Sequence, residues 1–452
     1  MKNKILACAL IIIMLLSVSV SADPDNSNSS EQVNTEKEYV LSATSPCALL
    51  LDMKTGMVLY SKNSSEKVYP AGLTHIMTAL LVLETCNLEE LIVASESALS
   101  NVPAGDNKIG VIKDEKLSVR QLLYGMLLNS ASDCANLLAE KSSGSIDEFV
   151  KLMNARAKEL EMVNTNFTNP TGAHDERHYT TADDMSILVR TAMENENFRE
   201  IVKCQSYSIP ATEKCHTARK IVNRNHFVSN LLRNDYYYEY ATGIKTGYSV
   251  EAKSCIAASA EKNGMSLLAL IFKADTVDNV AQSFSDCRAM FDYVFDNYTI
   301  QNIASNGEII AQTNIINTRR DSKLILKAER EISVIRPKNS PEIAITHKDF
   351  LDKKISAPVE KNQIIGKREY YANGVSIGFV NLLAEKSYKL DLVTYLINKM
   401  IAFITSPWLY ISIGVLILGL IMFERRRRRI LRKKRNDARK KRNRELLSKI
   451  DE

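Results

Sequence analysis

The chain has 452 residues, enough for two or three domains with a sizeable core. Lys and Arg number 59 against 53 Asp and Glu, a net charge of +6, but the excess is local. Residues 424–452 alone hold 15 Lys and Arg against 5 Asp and Glu, so the remainder is near −4, which removes the ground for a nucleic-acid partner.

Residues 1–22 have a basic start, an apolar run from Ile5 and a small-residue end at Val20-Ser21-Ala22, the pattern of a secretory signal peptide cut after Ala22. Residues 23–38 are polar and predict a disordered leader. "ALLLDMKTGMVLYSKN" predicts two strands about a turn at Lys54-Thr55-Gly56. "YPAGLTHIMTAL" (69–80) opens an amphipathic helix, with Pro70 near its start. From Tyr69 to about Lys203 the apolar spacing is mostly helical, and "VRQLLYGMLLNSASDCANLLAEKS" reads as one continuous run. "SCIAASAEKNGMSLLALIF" predicts a hairpin about Lys262-Asn263-Gly264, followed by the helix "VAQSFSDCRAMFDYVFDNY".

Strands, then helices, then strands imply an α+β fold with helices packed around a sheet, over 39–298. Short alternating runs over 299–384 predict a small all-β domain. Residues 385–399 read as an amphipathic stalk. Residues 400–423 carry no charge for 24 residues, long enough at about 1.5 Å per residue to cross a bilayer of roughly 30 Å. Trp408 and Tyr410 suit one membrane interface, and the basic tail 424–452 beyond the other is expected to be cytoplasmic. The tail then fixes topology and meets anionic lipid head groups. The rest of the chain would be extracytoplasmic, a single-pass membrane protein.

Seven cysteines remain after signal cleavage, an odd number with no C-x-x-C, and several sit in apolar runs as small core residues. A Cys204–Cys215 bridge stays open. The six histidines are scattered, with no H-E-x-x-H or H-x-H, so no metal and no cofactor is expected.

Four segments carry chemistry when taken together: "LLLDMKTGMVLYSKNSSEKVYPAGLTHIMTALLVLE", "LLYGMLLNSASDCANLLAE", "NPTGAHDERHYTTADDM" and "TGIKTGYSVEAKSCIAASAEKNGM". They resemble the D-alanyl-D-alanine carboxypeptidases among the low-molecular-mass penicillin-binding proteins. The resemblance covers about 39–298 and, more loosely, the β domain to about 384. It implies a penicillin-binding, β-lactamase-like transpeptidase domain and trimming of the terminal D-alanine from peptidoglycan stem peptides through a seryl intermediate. Such enzymes use S-x-x-K at a helix N-terminus, S-x-N on a facing loop and K-T-G on an edge strand. The lysine, one helical turn on, can reach the serine oxygen, and the helix N-terminus can offer an N–H to the oxyanion.

By that resemblance Gly72 stands at the nucleophile position and His75 at the lysine position. Ser130 is kept, and Ser132 stands at the asparagine position. Lys245-Thr246-Gly247 is intact, with Tyr248 after it, as the carboxylate-binding strand. Thr74 would point about 200° away from position 72 and cannot replace the serine. Lys54-Thr55-Gly56, a second K-T-G, reads as a turn, and His174 and His178 read as structural.

The expectation is therefore an inactive relative that binds stem peptides or a cell-wall protein. The alternative is a residual hydrolase of D-Ala-D-Ala peptides using Ser130 or His75. A third possibility is a structural or signalling ectodomain whose tail meets a cytoplasmic partner.

Overall fold

The computed structural model describes residues 41–277, 280–319 and 323–448; the signal peptide and leader expected over 1–38 lie outside the described residues. Five antiparallel strands form the central sheet, in the order Val58–Lys62, Cys47–Asp52, Met265–Ala274, Lys253–Lys262, Ala241–Ser249. Two of its inner strands carry unbroken apolar runs, Cys47–Leu51 and Leu267–Phe272, because helices cover both faces. Leu49, Leu51, Leu268 and Leu270 join one core, under the helices of residues 75–203. Ala48, Leu50, Leu267 and Ala269 alternate into a second core, against the Gln282–Asn297 helix.

Both hairpin turns form where the sequence places them. Gly56 closes the first at φ +76, with Asp52 accepting from the Thr55 hydroxyl at 2.6 Å. Asn263 and Gly264 close the second at φ +52 and +80, the left-handed pair of a tight two-residue hairpin.

The helical region differs from the sequence reading in three places. The run 119–143 is two helices, Val119–Asn129 and Ser132–Ser143, broken by Ser130 at φ 55, ψ 40. The apolar period runs through the break because both helices bury one side in the same core. Residues 91–118 include a short strand pair, Leu91–Val93 with Lys116–Ser118. The helix of residues 69–80 opens with a 3₁₀ turn, Ala71–Thr74, before the α-helix His75–Thr85.

Beyond Asn297 the chain becomes an all-β domain. A six-stranded sheet and a two-stranded pair enclose two small cores, one around Leu324, Leu326 and Leu382, the other around Val334, Ile377 and Val380. The sheet ends with Val375–Ala384.

Two helices follow. Leu392–Ile404 buries none of its residues. Thr405 and Ser406 interrupt the helix, and a second helix runs from Pro407 to Ser448. The uncharged stretch 400–423 is therefore divided: Pro407 has no N–H for the preceding turn and restricts Ser406 before it. The segment Pro407–Asn443 is long and apolar enough to cross a membrane, and none of its apolar window is buried.

Cys204 and Cys215 are not joined. All seven cysteines among the described residues are free; Cys204 and Cys215 turn their thiols to the Ser206 and Thr217 carbonyls instead.

Candidate active site

The residues singled out by sequence converge on one cleft of about 930 Å³, lined by Gly72, His75, Ser130, Ser132, Thr246, Gly247 and Tyr248. Three elements build it: the 3₁₀ turn and helix after Pro70, the break between two helices at Ser130, and the edge strand Ala241–Ser249.

Gly72 faces the strand and the break together. A Cβ built on it would lie 3.0 Å from Thr246 O, 3.4 Å from Gly247 Cα and 3.6 Å from Ser130 Oγ. A side chain here would begin against the strand and within 3.6 Å of Ser130 Oγ, and glycine supplies none. Ala71 before it has φ +45, an unusual conformation for a residue with a Cβ. The loop below braces this turn: a Cβ on Gly172 would stand 1.9 Å from Ala71 O, so nothing but glycine fits.

His75, one turn on, is 1% exposed, and neither ring nitrogen has a hydrogen-bond partner. Burial, and then the Lys245 charge, hold its pKa well below the ordinary imidazole value, so the ring is neutral. Thr74 is turned away as expected. Thr168 N–H donates to His178 Nδ1 at 3.2 Å, which leaves Nε2–H to donate to Thr74 Oγ1 at 2.9 Å. His178 is a buried structural residue, pulled down to about 4 by burial. His174 lies on the cleft wall, its ring edge against Tyr69 at 4.7 Å.

The left-handed turn at Ser130 lifts its hydroxyl out of the helical path and into the cleft. There it accepts from Lys245 Nζ, which also donates to Thr246 O at 2.9 Å. Lys245 is 2% exposed; burial first, and then the Arg224 charge, pull it down to about 7. Tyr248, by contrast, is 72% exposed at the rim.

Ser132 does not face Lys245 as a free donor. Its hydroxyl donates to Asp106 Oδ2 at 2.7 Å, and its N–H to Asn107 O at 2.8 Å. The next residue, Asp133, accepts from the N–H groups of Ile109, Gly110 and Val111 at 3.0–3.2 Å. The loop around residue 106 is thus clamped over the helix start. Arg224 approaches from the other side and donates to Asn107 Oδ1 at 2.7 Å. Asp106 and Arg224 were missed by the sequence reading: each is a lone polar residue in a loop, and only folding brings it to the cleft. Among the described residues no group of three His, Cys, Asp or Glu could hold a metal ion.

The comparisons agree with this architecture. The profile of the D-alanyl-D-alanine carboxypeptidase family matches residues 32–276, and that of the penicillin-binding protein 5 C-terminal domain matches 298–390. The D-alanyl-D-alanine carboxypeptidase DacF of Bacillus subtilis is 31% identical over 328 residues, 72% of this chain and 81% of that protein. DacA of Haemophilus influenzae is 28% identical over 348 residues, 75% and 84% of the two chains. A crystal structure described as a peptidoglycan synthesis regulatory factor (PBP3) from Streptococcus pneumoniae superposes with a TM-score of 0.67. It is 21% identical over 77% of this chain and 100% of that one, a likeness of fold. With a family profile over more than half its length, this chain belongs to the D-alanyl-D-alanine carboxypeptidase family and carries the penicillin-binding protein 5 type of C-terminal domain.

Proposed function

We propose that this protein is a catalytically inactive, membrane-anchored carboxypeptidase homologue of cell-wall metabolism, which binds peptidoglycan stem peptides or a cell-wall protein through its cleft. The observation that carries this reading is Gly72, which faces Ser130 across the cleft with no atom to attack a carbonyl. Losing the nucleophile of a serine hydrolase lowers the rate by about 10⁶. The names of its relatives supply the substrate class. The start of the sequence, the apolar helix from Pro407 and the basic residues after Phe423 support a topology with the cleft outside the cytoplasm and the tail inside.

Incubation of the full chain with a fluorescent penicillin tests this reading. No covalent band is expected, while a stem peptide binds reversibly. Stoichiometric covalent labelling would overturn it.

One observation favours a second reading. Ser130 Oγ already accepts from a lysine poised near neutrality, the arrangement of a serine–lysine dyad, and the neutral His75 beside it could accept a proton. Slow turnover of a diacetyl-Lys-D-Ala-D-Ala peptide, abolished by Ser130→Ala or His75→Ala, would establish a residual hydrolase instead.

A further inference from the structure

The buried lysine of the cleft, Lys245, has no carboxylate among its hydrogen-bond partners; its bonds go to a hydroxyl and a carbonyl. Arg224 lies close enough for its charge to act on Lys245. Of the two acids on the cleft wall, Asp106 accepts from the Ser132 hydroxyl, and neither it nor Glu251 bonds Lys245. A buried cation without a counter-charge is unfavourable, and an anionic ligand would relieve it. His75 adds two buried ring nitrogens with no partner, on the wall of the same cleft.

The position of this unmatched polarity matters. A seryl oxygen at residue 72 would lie one bond beyond the missing Cβ, which itself stands 3.6 Å from Ser130 Oγ. In an acyl-enzyme, the acyl carbon carries two oxygens, one carbonyl and one seryl. A peptide carboxylate carries the same two oxygens on its own carbon. An uncleaved amide carries one oxygen and a nitrogen, and leaves the seryl position empty.

Resting on the stem-peptide reading above, we propose that the cleft recognises the trimmed product: a peptide ending in a single D-alanyl carboxylate, one oxygen of which fills the seryl position. That oxygen accepts from the Ser130 hydroxyl and faces Lys245. The substitution at residue 72 then changes the preferred ligand from the substrate of an active carboxypeptidase to what such an enzyme leaves behind. No bond is made or broken in this recognition.

Three ligands test the proposal by calorimetry on the full chain in neutral lipid nanodiscs: diacetyl-Lys-D-Ala, its C-terminal amide, and diacetyl-Lys-D-Ala-D-Ala. The free carboxylate is expected to bind about tenfold or more tighter than the other two, on the scale of one charge-assisted hydrogen bond. Gly72→Ser places an oxygen of the protein at the same point and is expected to erase that preference while the other two ligands still bind. Ser130→Ala is expected to lower the preference by several-fold, with both variants still unfolding in one cooperative transition. Equal or tighter binding of diacetyl-Lys-D-Ala-D-Ala overturns product recognition and leaves the stem-peptide reading standing. Binding of none of the three overturns both.

Discussion

Lys245 donates through Nζ to Ser130 Oγ across the cleft, joining the edge strand of the sheet to the turn between two helices. Removed from water, the ammonium loses proton affinity and falls to about 7 from 10.5. Between those values the unfolded chain binds more protons than the folded one, so the contribution of Lys245 to stability is present above 10.5 and lost as pH falls towards 7. Urea unfolding of the wild type and Lys245→Met, compared from pH 6 to pH 10, is expected to move in favour of the wild type as pH rises. The slope approaches about 1.4 kcal/mol per pH unit. A difference independent of pH would mean that this lysine keeps its ordinary proton affinity.

Three substitutions, Gly72→Ser, His75→Lys and Ser132→Asn, are expected together to restore covalent labelling by a fluorescent penicillin. A Cβ at residue 72 needs Thr246 O, at 3.0 Å, to give way by a few tenths of an ångström, a small movement for an edge strand. Gly72→Ser alone is expected to label at least about a hundredfold more slowly, because the neutral, buried His75 does not replace the lysine. No labelling of the triple variant would show that the strand has closed over the helix start.

Glu115 is fully buried and accepts both Arg219 Nη1 and Nη2, at 2.9 and 2.8 Å, together with the Thr212 hydroxyl at 2.7 Å. Burial alone would raise the carboxyl, but these donors hold it below its usual range. Arg219→Ala leaves the charge stranded and is expected to lower stability by about 3–5 kcal/mol in urea unfolding. Arg219 also donates to Gly110 O at 3.1 Å, so the loop over Ser132 is expected to become more open to amide hydrogen exchange in the same variant.

Thiol alkylation followed by mass spectrometry is expected to divide the cysteines. Cys86, Cys204 and Cys215 are partly exposed and react in the native protein. Cys47, Cys134, Cys255 and Cys287 are buried; burial raises Cys47 to about 11 and Cys255 to about 12, and these four react only after denaturation. Added reductant should leave the melting temperature unchanged. A drop would reveal a disulfide.

The parts of the cleft readable in the sequence were those with a local signal. Proline at a helix start and Asn-Gly in a hairpin each force the chain at their own position, whereas K-T-G is a turn at 54–56 and an edge strand at 245–247 and is readable only from the segments around it. The break at Ser130 has no such signal: no Gly or Pro marks it, and the flanking residues keep helical spacing because both helices face one core. The clamp of Asp106 on Ser132 was equally hidden, since it joins residues 26 apart through a loop of no fixed pattern. At the C-terminal end, hydropathy alone ran through Thr405 and Ser406, both tolerated in an apolar stretch, while Pro407 restarted the helix. Periodicity reports which face is buried; it is silent about where two elements on the same face change direction.

Gly247 bears on how the cleft keeps its shape without a side chain at residue 72. A Cβ there would stand 2.8 Å from Gly72 N and 3.1 Å from Pro70 O, so the glycine is demanded by the main chain opposite, whatever side chain residue 72 carries. A lineage that gave up its nucleophile would still be obliged to keep this half of the motif, for reasons of fit alone. Its survival is therefore no witness to a living function. Lys245 is different: burying it opposes folding at neutral pH, and an apolar residue would fill the space at less cost. Of the three letters in K-T-G, the first is the one that fit alone does not account for.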